Sequence, residues 1–253
     1  MSADQVVSVA PQGTPAPDPG DRFTMLMAHA DDNMVLAQRL SELISYAPEL
    51  EIDIALGNIA LDHLGVARAL YSHAGDIEGE GRTEDDLAMS RSEREYTNLL
   101  LVEQPNGDFA HTMARQLFFD AYQMECWKEL SKADDETLAG IAGRALKEAT
   151  YHLRFSSGWI IRLGDGTEES HLRAQAAIDD LWQYTAEMFE DEAEKYERAW
   201  AVTISEIMGG AKLDVPDDPY QRTGGRSGFH TEVLGTLLAD MQWMQRSYPG
   251  LQW

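Results

Sequence analysis

Apolar residues recur at intervals of three and four along most of this chain, and the stretches that carry this rhythm contain no proline. After residue 22, proline occurs only at positions 48, 105, 216, 219 and 249. Proline inside a helix removes a backbone hydrogen bond and clashes with the preceding turn, so long periodic stretches without it predict long helices. The pattern places helices at 24–47, 51–75, 108–131 and 134–163, with a short helical region at 84–102 that ends at QPNG. Another helix spans 167–209, broken near 191–194, and a Gly/Pro-rich loop at 210–229 leads to a last helix at 230–247. A helix of 25 residues is about 37 Å long. These lengths predict an all-α fold, a long-helix bundle with additional C-terminal helices. Residues 1–22 hold four of the nine prolines and read as a disordered tail, leaving 23–253 as one helical domain.

The inner faces follow from the same period. The second helix aligns Ile52, Leu56, Ile59, His63, Val66 and Leu70 on one side. The 134–163 helix aligns Leu138, Ala142, Ala145, Ala149, His152, Ser156, Trp159 and Leu163. The first helix offers Leu26, Ala30, Asn33, Ala37, Leu40 and Ile44, and the third Phe109, Met113, Leu117, Asp120, Met124 and Trp127. Each long helix thus carries one polar residue at mid-face: Asn33, His63, Asp120 and His152.

That arrangement raises the question of metal. Di-iron four-helix proteins place Glu-x-x-His on two helices and a further Glu on each of the other two. Here the matching inward pairs read His63-x-x-Val66 and Ala149-x-x-His152, while Glu148 in ALKEATYHLRF lies about 100° around the helix. One inward carboxylate, Asp120, falls short of the anionic set that such iron ions need. A mononuclear site drawing on His63, Asp120 and His152 is the alternative metal reading. The favoured reading is a set of core polar groups that hydrogen-bond one another or water. Two literal matches, Glu168-x-x-His171 and Asp108-x-x-His111, follow turn sequences and read as solvated helix starts.

Composition narrows the partners. The chain has 253 residues, 43% apolar and 25% charged, with a formal charge of -24. Such a charge disfavours nucleic acid and anionic membrane surfaces. A single cysteine, Cys126, rules out an intrachain disulfide and Cys-based metal motifs. The first residues lack a signal-peptide pattern and no apolar run reaches membrane-spanning length, so the cytoplasm is the expected location. No phosphate loop, GxSxG or post-strand GxGxxG is found. In YQRTGGRSGFH, Arg222 and Arg226 flank Gly224 and Gly225 just before a helix. The loop reads either as an anion or partner site or, preferably, as a turn with glycines in left-handed conformations. The aromatic and Met-rich C-terminus, MQWMQRSYPGLQW, suits a core or a subunit interface equally.

Four segments together carry a resemblance: LAQRLSELISYAPELEIDIALGNIALDHLGVARALYSHAGDIEGEG, YTNLLLVEQPNGDFAHTMARQLFFDAY, KEATYHLRFSSGWIIRLGDGT and YQRTGGRSGFHTEVLGTLLADMQWMQRSYPGLQW. They resemble the C subunits of bacterial phenylacetyl-CoA epoxidases, also called phenylacetate-CoA oxygenases, over residues 25–253. LLLVEQPNGDFA and the YQRTGG loop are its most specific parts, and residues 190–210 look shortened against the pattern. The resemblance implies a ferritin-like fold and an iron-free subunit of a multicomponent monooxygenase. It implies that a sister A subunit holds the di-iron centre and binds phenylacetyl-CoA. A reductase passes electrons from NADPH through flavin and iron–sulfur groups. Against the A-subunit pattern, three of the four positions in His63-x-x-Val66 and Ala149-x-x-His152 are altered. The expectation is therefore a scaffold that binds no metal or cofactor itself, pairs with the A subunit and other subunits, and can self-associate as a homodimer when isolated. The competing classes are a stand-alone non-haem iron oxygenase and an iron-handling ferritin-like protein.

Overall fold

The computed structural model of the protein describes residues 19–190, 194–217 and 220–248. Ten α-helices and three short 3-10 turns occur among the described residues, and no strand. Four long helices form the body: α1 (Pro19–Ser41), α2 (Leu50–Glu78), α5 (Phe109–Leu130) and α6 (Glu136–Gly164). Between α2 and α5 lie the short helices α3 (Glu84–Met89) and α4 (Leu100–Glu103). Then follow α7 (Glu168–Trp182), α8 (Glu194–Ala211), α9 (Glu232–Met241) and α10 (Trp243–Ser247). The all-α, ferritin-like architecture read from the sequence is the one observed.

Local chemistry sets the helix ends. Asp108 caps α5 by accepting from the His111 N–H at 2.9 Å, and Asp135 caps α6 through the Leu138 N–H at 3.0 Å. Thr167 caps α7 through the Ser170 N–H. The sequence matches Asp108-x-x-His111 and Glu168-x-x-His171 are therefore first turns, where orphan N–H groups need acceptors. The α2 helix stops at Gly79, whose φ of 72° is open to glycine at little cost.

Helix α1 packs along α2, α5 along α6, and α2 against α6, while α7 and α8 cover α5. The interior holds two apolar clusters. One gathers Leu40, Ile52, Leu56, Ile59, Met113, Leu117 and Ile160; the other gathers Leu26, Ala30, Val66, Leu70, Trp127, Ala145 and Ala149. Complete burial of one Leu or Ile is worth about 1.5–3 kcal/mol, so these clusters hold the helices. On α2 and α6, the polar mid-face residue falls between that helix's contributions to the two clusters. Asn33, His63, Asp120 and His152 thus form a polar layer across the bundle.

Several boundaries differ from the sequence reading. Residues 1–18 of the expected tail lie outside the described residues, and from Pro19 the chain is already helical, with proline tolerated in the first turn. The first helix ends at Ser41 rather than 47, because Ser45 takes a left-handed φ of 76° and turns the chain; Ile44, placed on the inner stripe, is 52% exposed. On α6, Trp159 and Leu163 are only half-buried, and the inner face passes to Ile160 and Gly164. The helix expected over 167–209 breaks after Trp182 into a 3-10 turn, Ala186–Phe189, that drives Glu187 inward. Residues 191–193, where the break was expected, lie outside the described residues. The last helix is divided at Gln242, whose side chain donates to the Arg91 carbonyl at 3.0 Å. Trp243, Met244 and Tyr248 are exposed.

Candidate functional site

The helical period brings His63, Asp120 and His152 together as buried residues, each offering a ligand-type atom within 4.8 Å of the others. Their surroundings fix their chemical state. Asn33 Nδ2 donates to the His29 carbonyl at 2.8 Å, which turns its Oδ1 toward His63. That oxygen accepts from Gln123 Nε2 at 3.1 Å and lies 2.8 Å from His63 Nδ1. A carbonyl oxygen only accepts, so His63 carries its proton on Nδ1. Its Nε2 then bears a lone pair, and that atom is buried with no hydrogen-bond partner. On α6, His152 Nε2 lies 3.1 Å from Asp62 Oδ2 and donates to that carboxylate. His152 Nδ1 is the second buried atom without a partner. The two rings stand 4.9 Å apart, centre to centre.

Burial lowers both imidazoles' affinity for a proton. It holds His63 well below the usual histidine range, with His152 and Arg115 adding to the effect. It lowers His152 as well, against the opposing pull of Asp62. Asp120 is pushed up to about 8 by burial, although the Ser156 hydroxyl donates to its Oδ2 at 2.7 Å. Each unmatched buried polar atom costs about 1–3 kcal/mol, so two neighbouring neutral imidazoles that each bury one such nitrogen are costly to the fold.

A di-iron centre does not fit this layer. Val66 and Ala149 are buried among apolar neighbours, Asn33 brings an amide, and Asp120 is the one carboxylate in the cluster. Glu148 is not among the clustered ligand groups and stands 3.8 Å from Arg144; burial and the nearby Asp62 raise its pKa. Four further acids are buried, and all have other partners. Asp31 accepts from Arg91, from Tyr71 Oη at 2.6 Å and from the Thr97 N–H at 2.8 Å. Asp32 accepts from Arg226 and from the Leu99 N–H. Glu103 accepts from His230, Asn98 and Thr231. Glu187 accepts from the N–H groups of Leu100, Gly224 and Gly225 at 2.7, 2.8 and 2.6 Å.

These acids, together with Asp62 as the partner of His152, are what the sequence reading missed. Their signal was faint: a doublet at Asp31–Asp32 and a Glu inside LLLVEQPNGDFA. The glycine loop proves to be an anion-holding turn whose anion is internal. Gly224 and Gly225 turn their N–H groups to Glu187, and Arg226 reaches across to Asp32, with Nη1 3.0 Å from Oδ1 and Nη2 2.7 Å from Oδ2. Arg222 alone of this group faces outward. Beside Tyr184 and Tyr220, it lines an open depression of about 860 Å³ that also includes Gln104 and His230.

A long-helix bundle with a buried two-histidine, one-carboxylate cluster, and with its remaining interior acids committed to clamping loops, defines a ferritin-like protein whose dinuclear ligand set is incomplete. Over residues 8–253 the chain matches the family described as phenylacetic acid catabolic protein, and it belongs to that family. It is 48% identical over 237 residues to the C subunit of 1,2-phenylacetyl-CoA epoxidase from Escherichia coli (strain K12); the match covers 88% of this chain and 95% of that protein. No helix among the described residues is long and apolar enough to cross a membrane.

Proposed function

We propose that this chain is the non-catalytic structural subunit of a 1,2-phenylacetyl-CoA epoxidase, pairing with a di-iron catalytic A subunit and holding its helices in place. The carrying observation is the buried layer, where Asn33, Val66 and Ala149 stand at positions that a dinuclear iron site would fill with oxygen or nitrogen ligands. On this reading oxygen is activated in the A subunit, and electrons arrive from NADPH through a flavin and iron–sulfur reductase. The work of this chain is mechanical. It keeps a rigid bundle in register and presents a surface that excludes water from the partner's helices. The complex would operate in the cytoplasm.

The surface between α1 and α2 suits that work. Ile44, Ile54 and Leu61 are 52%, 56% and 64% exposed and line an open cleft of about 340 Å³. Leu50, at the start of α2, extends the apolar area. Clusters of exposed apolar side chains mark protein contacts more often than chance.

The test is reconstitution. The purified chain alone should turn over no phenylacetyl-CoA with NADPH, reductase and oxygen. Adding it to the A subunit should raise epoxidation to a plateau at a fixed molar ratio, with the two co-eluting on gel filtration. Epoxidation by this chain without any A subunit would overturn the reading.

A further inference from the structure

The geometry points to a site for one divalent transition-metal ion, held by His63 Nε2, His152 Nδ1 and the Asp120 carboxylate. This goes beyond the scaffold reading and does not depend on it. An ion bound by α2, α5 and α6 at once would act as a staple between three helices.

The argument begins with the two imidazoles. Metals bind the unprotonated nitrogen of histidine, and ligating histidines donate their other N–H to an oxygen that fixes the ring. His63 does this through Nδ1 to Asn33, and His152 through Nε2 to Asp62. The two remaining nitrogens are both buried without a hydrogen-bond partner, and the three residues bring ligand-type atoms within 4.8 Å of one another. Asp120 supplies the oxygen, steadied by Ser156. The outer groups are therefore set as a metal site requires, and each imidazole keeps one nitrogen lone pair free.

Donor type and charge select the ion. Two imidazoles with one carboxylate suit Zn²⁺, Fe²⁺ or Co²⁺, whereas Mg²⁺ and Ca²⁺ call for oxygen ligands. A divalent charge is balanced by Asp120 together with Asp62 behind His152. The three ligand atoms lie within 4.8 Å of one another. Metal–ligand bonds of about 2.0–2.2 Å place such atoms roughly 3.4 Å apart, so binding draws the side chains inward by about 1–1.5 Å. No second metal is supported, since Val66 and Ala149 offer no donor atoms.

The full-length chain, stripped with a chelator, is titrated with Co²⁺ and then Zn²⁺. The expected result is one Co²⁺ per chain, visible d–d absorption bands, displacement by Zn²⁺, and a higher melting temperature with Zn²⁺. His63→Gln and His152→Gln should each weaken Co²⁺ binding at least tenfold and abolish the bands, with the helical circular dichroism kept. Should either lose its fold, Asp120→Asn conserves volume and gives the same readout. Failure of Co²⁺ and Zn²⁺ to saturate the chain, or unchanged binding in the variants, would overturn the site and leave a pocket that holds water. That outcome would not touch the scaffold reading, which is tested separately by turnover without the A subunit. Two iron ions per chain would overturn both.

Discussion

Asp32, midway along the first helix, and Arg226, in the glycine loop 194 positions later, are joined by two hydrogen bonds in the interior. The Asp32 side chain is fully buried and that of Arg226 is 20% exposed. This pair ties the C-terminal third of the chain to the helix that opens the bundle, and Arg91–Asp31 beside it ties in the segment that follows α3. Removing one partner of a buried ion pair leaves an uncompensated charge and costs about 3–5 kcal/mol. Asp32→Ala should lower the midpoint of urea unfolding accordingly. A midpoint unchanged from wild type would show that water satisfies Arg226 and that the loop is not latched.

The glycines of α6 predict opposite outcomes for the same substitution. A Cβ on Gly164 would lie 2.2 Å from the Ala211 carbonyl oxygen, a backbone atom, whereas a Cβ on Gly140 meets nothing within 4 Å. Gly164→Ala should destabilise by about 1–3 kcal/mol through overpacking against α8. Gly140→Ala, in an exposed helix interior, should stabilise by about 0.5–1 kcal/mol. Thermal unfolding of both proteins checks the pair, and equal shifts would contradict the packing of α6 on α8.

His230 links stability to pH. Its Nδ1 lies 2.8 Å from Glu103 Oε2 and its Nε2 2.9 Å from the Tyr96 carbonyl, so both partners accept and the imidazolium form satisfies both. Burial works against that charge, yet Glu103 and Tyr96 together raise the pKa above 6.5. A raised folded-state pKa gives stability that is fully present below about 6.5 and is lost as pH rises through the folded value. The chain should therefore lose stability on passing from pH 6.5 toward 8.5. His230→Gln should flatten that slope relative to wild type, as followed by chemical denaturation at a series of pH values.

The apolar cleft offers a test of pairing that leaves the fold intact. Leu61 is 64% exposed, so Leu61→Asp should alter stability by no more than about 0.5 kcal/mol. A charge placed within a protein interface costs more, and affinity for the A subunit should fall at least tenfold in surface plasmon resonance. Undiminished binding would move the contact to another face.

Sequence by itself determined the helices and much of their inner faces. A 3.6-residue period is local, so spacing alone put Asn33, His63, Asp120 and His152 at mid-face, and the bundle brought them to one layer. It also placed Val66 and Ala149, side chains without a donor atom, on the same inner faces as the two histidines. Tertiary structure alone decided the fate of the interior acids. Asp31, Asp32, Glu103 and Glu187 look like ordinary surface carboxylates until Arg91, Arg226, His230 and the N–H groups of Gly224 and Gly225 arrive from distant segments. The same holds for Asp62, which fixes the tautomer of His152 from 90 positions away. Periodicity records which way a residue faces on its own helix. The partner it meets depends on loop closure and packing across the whole chain, and no local pattern carries that information.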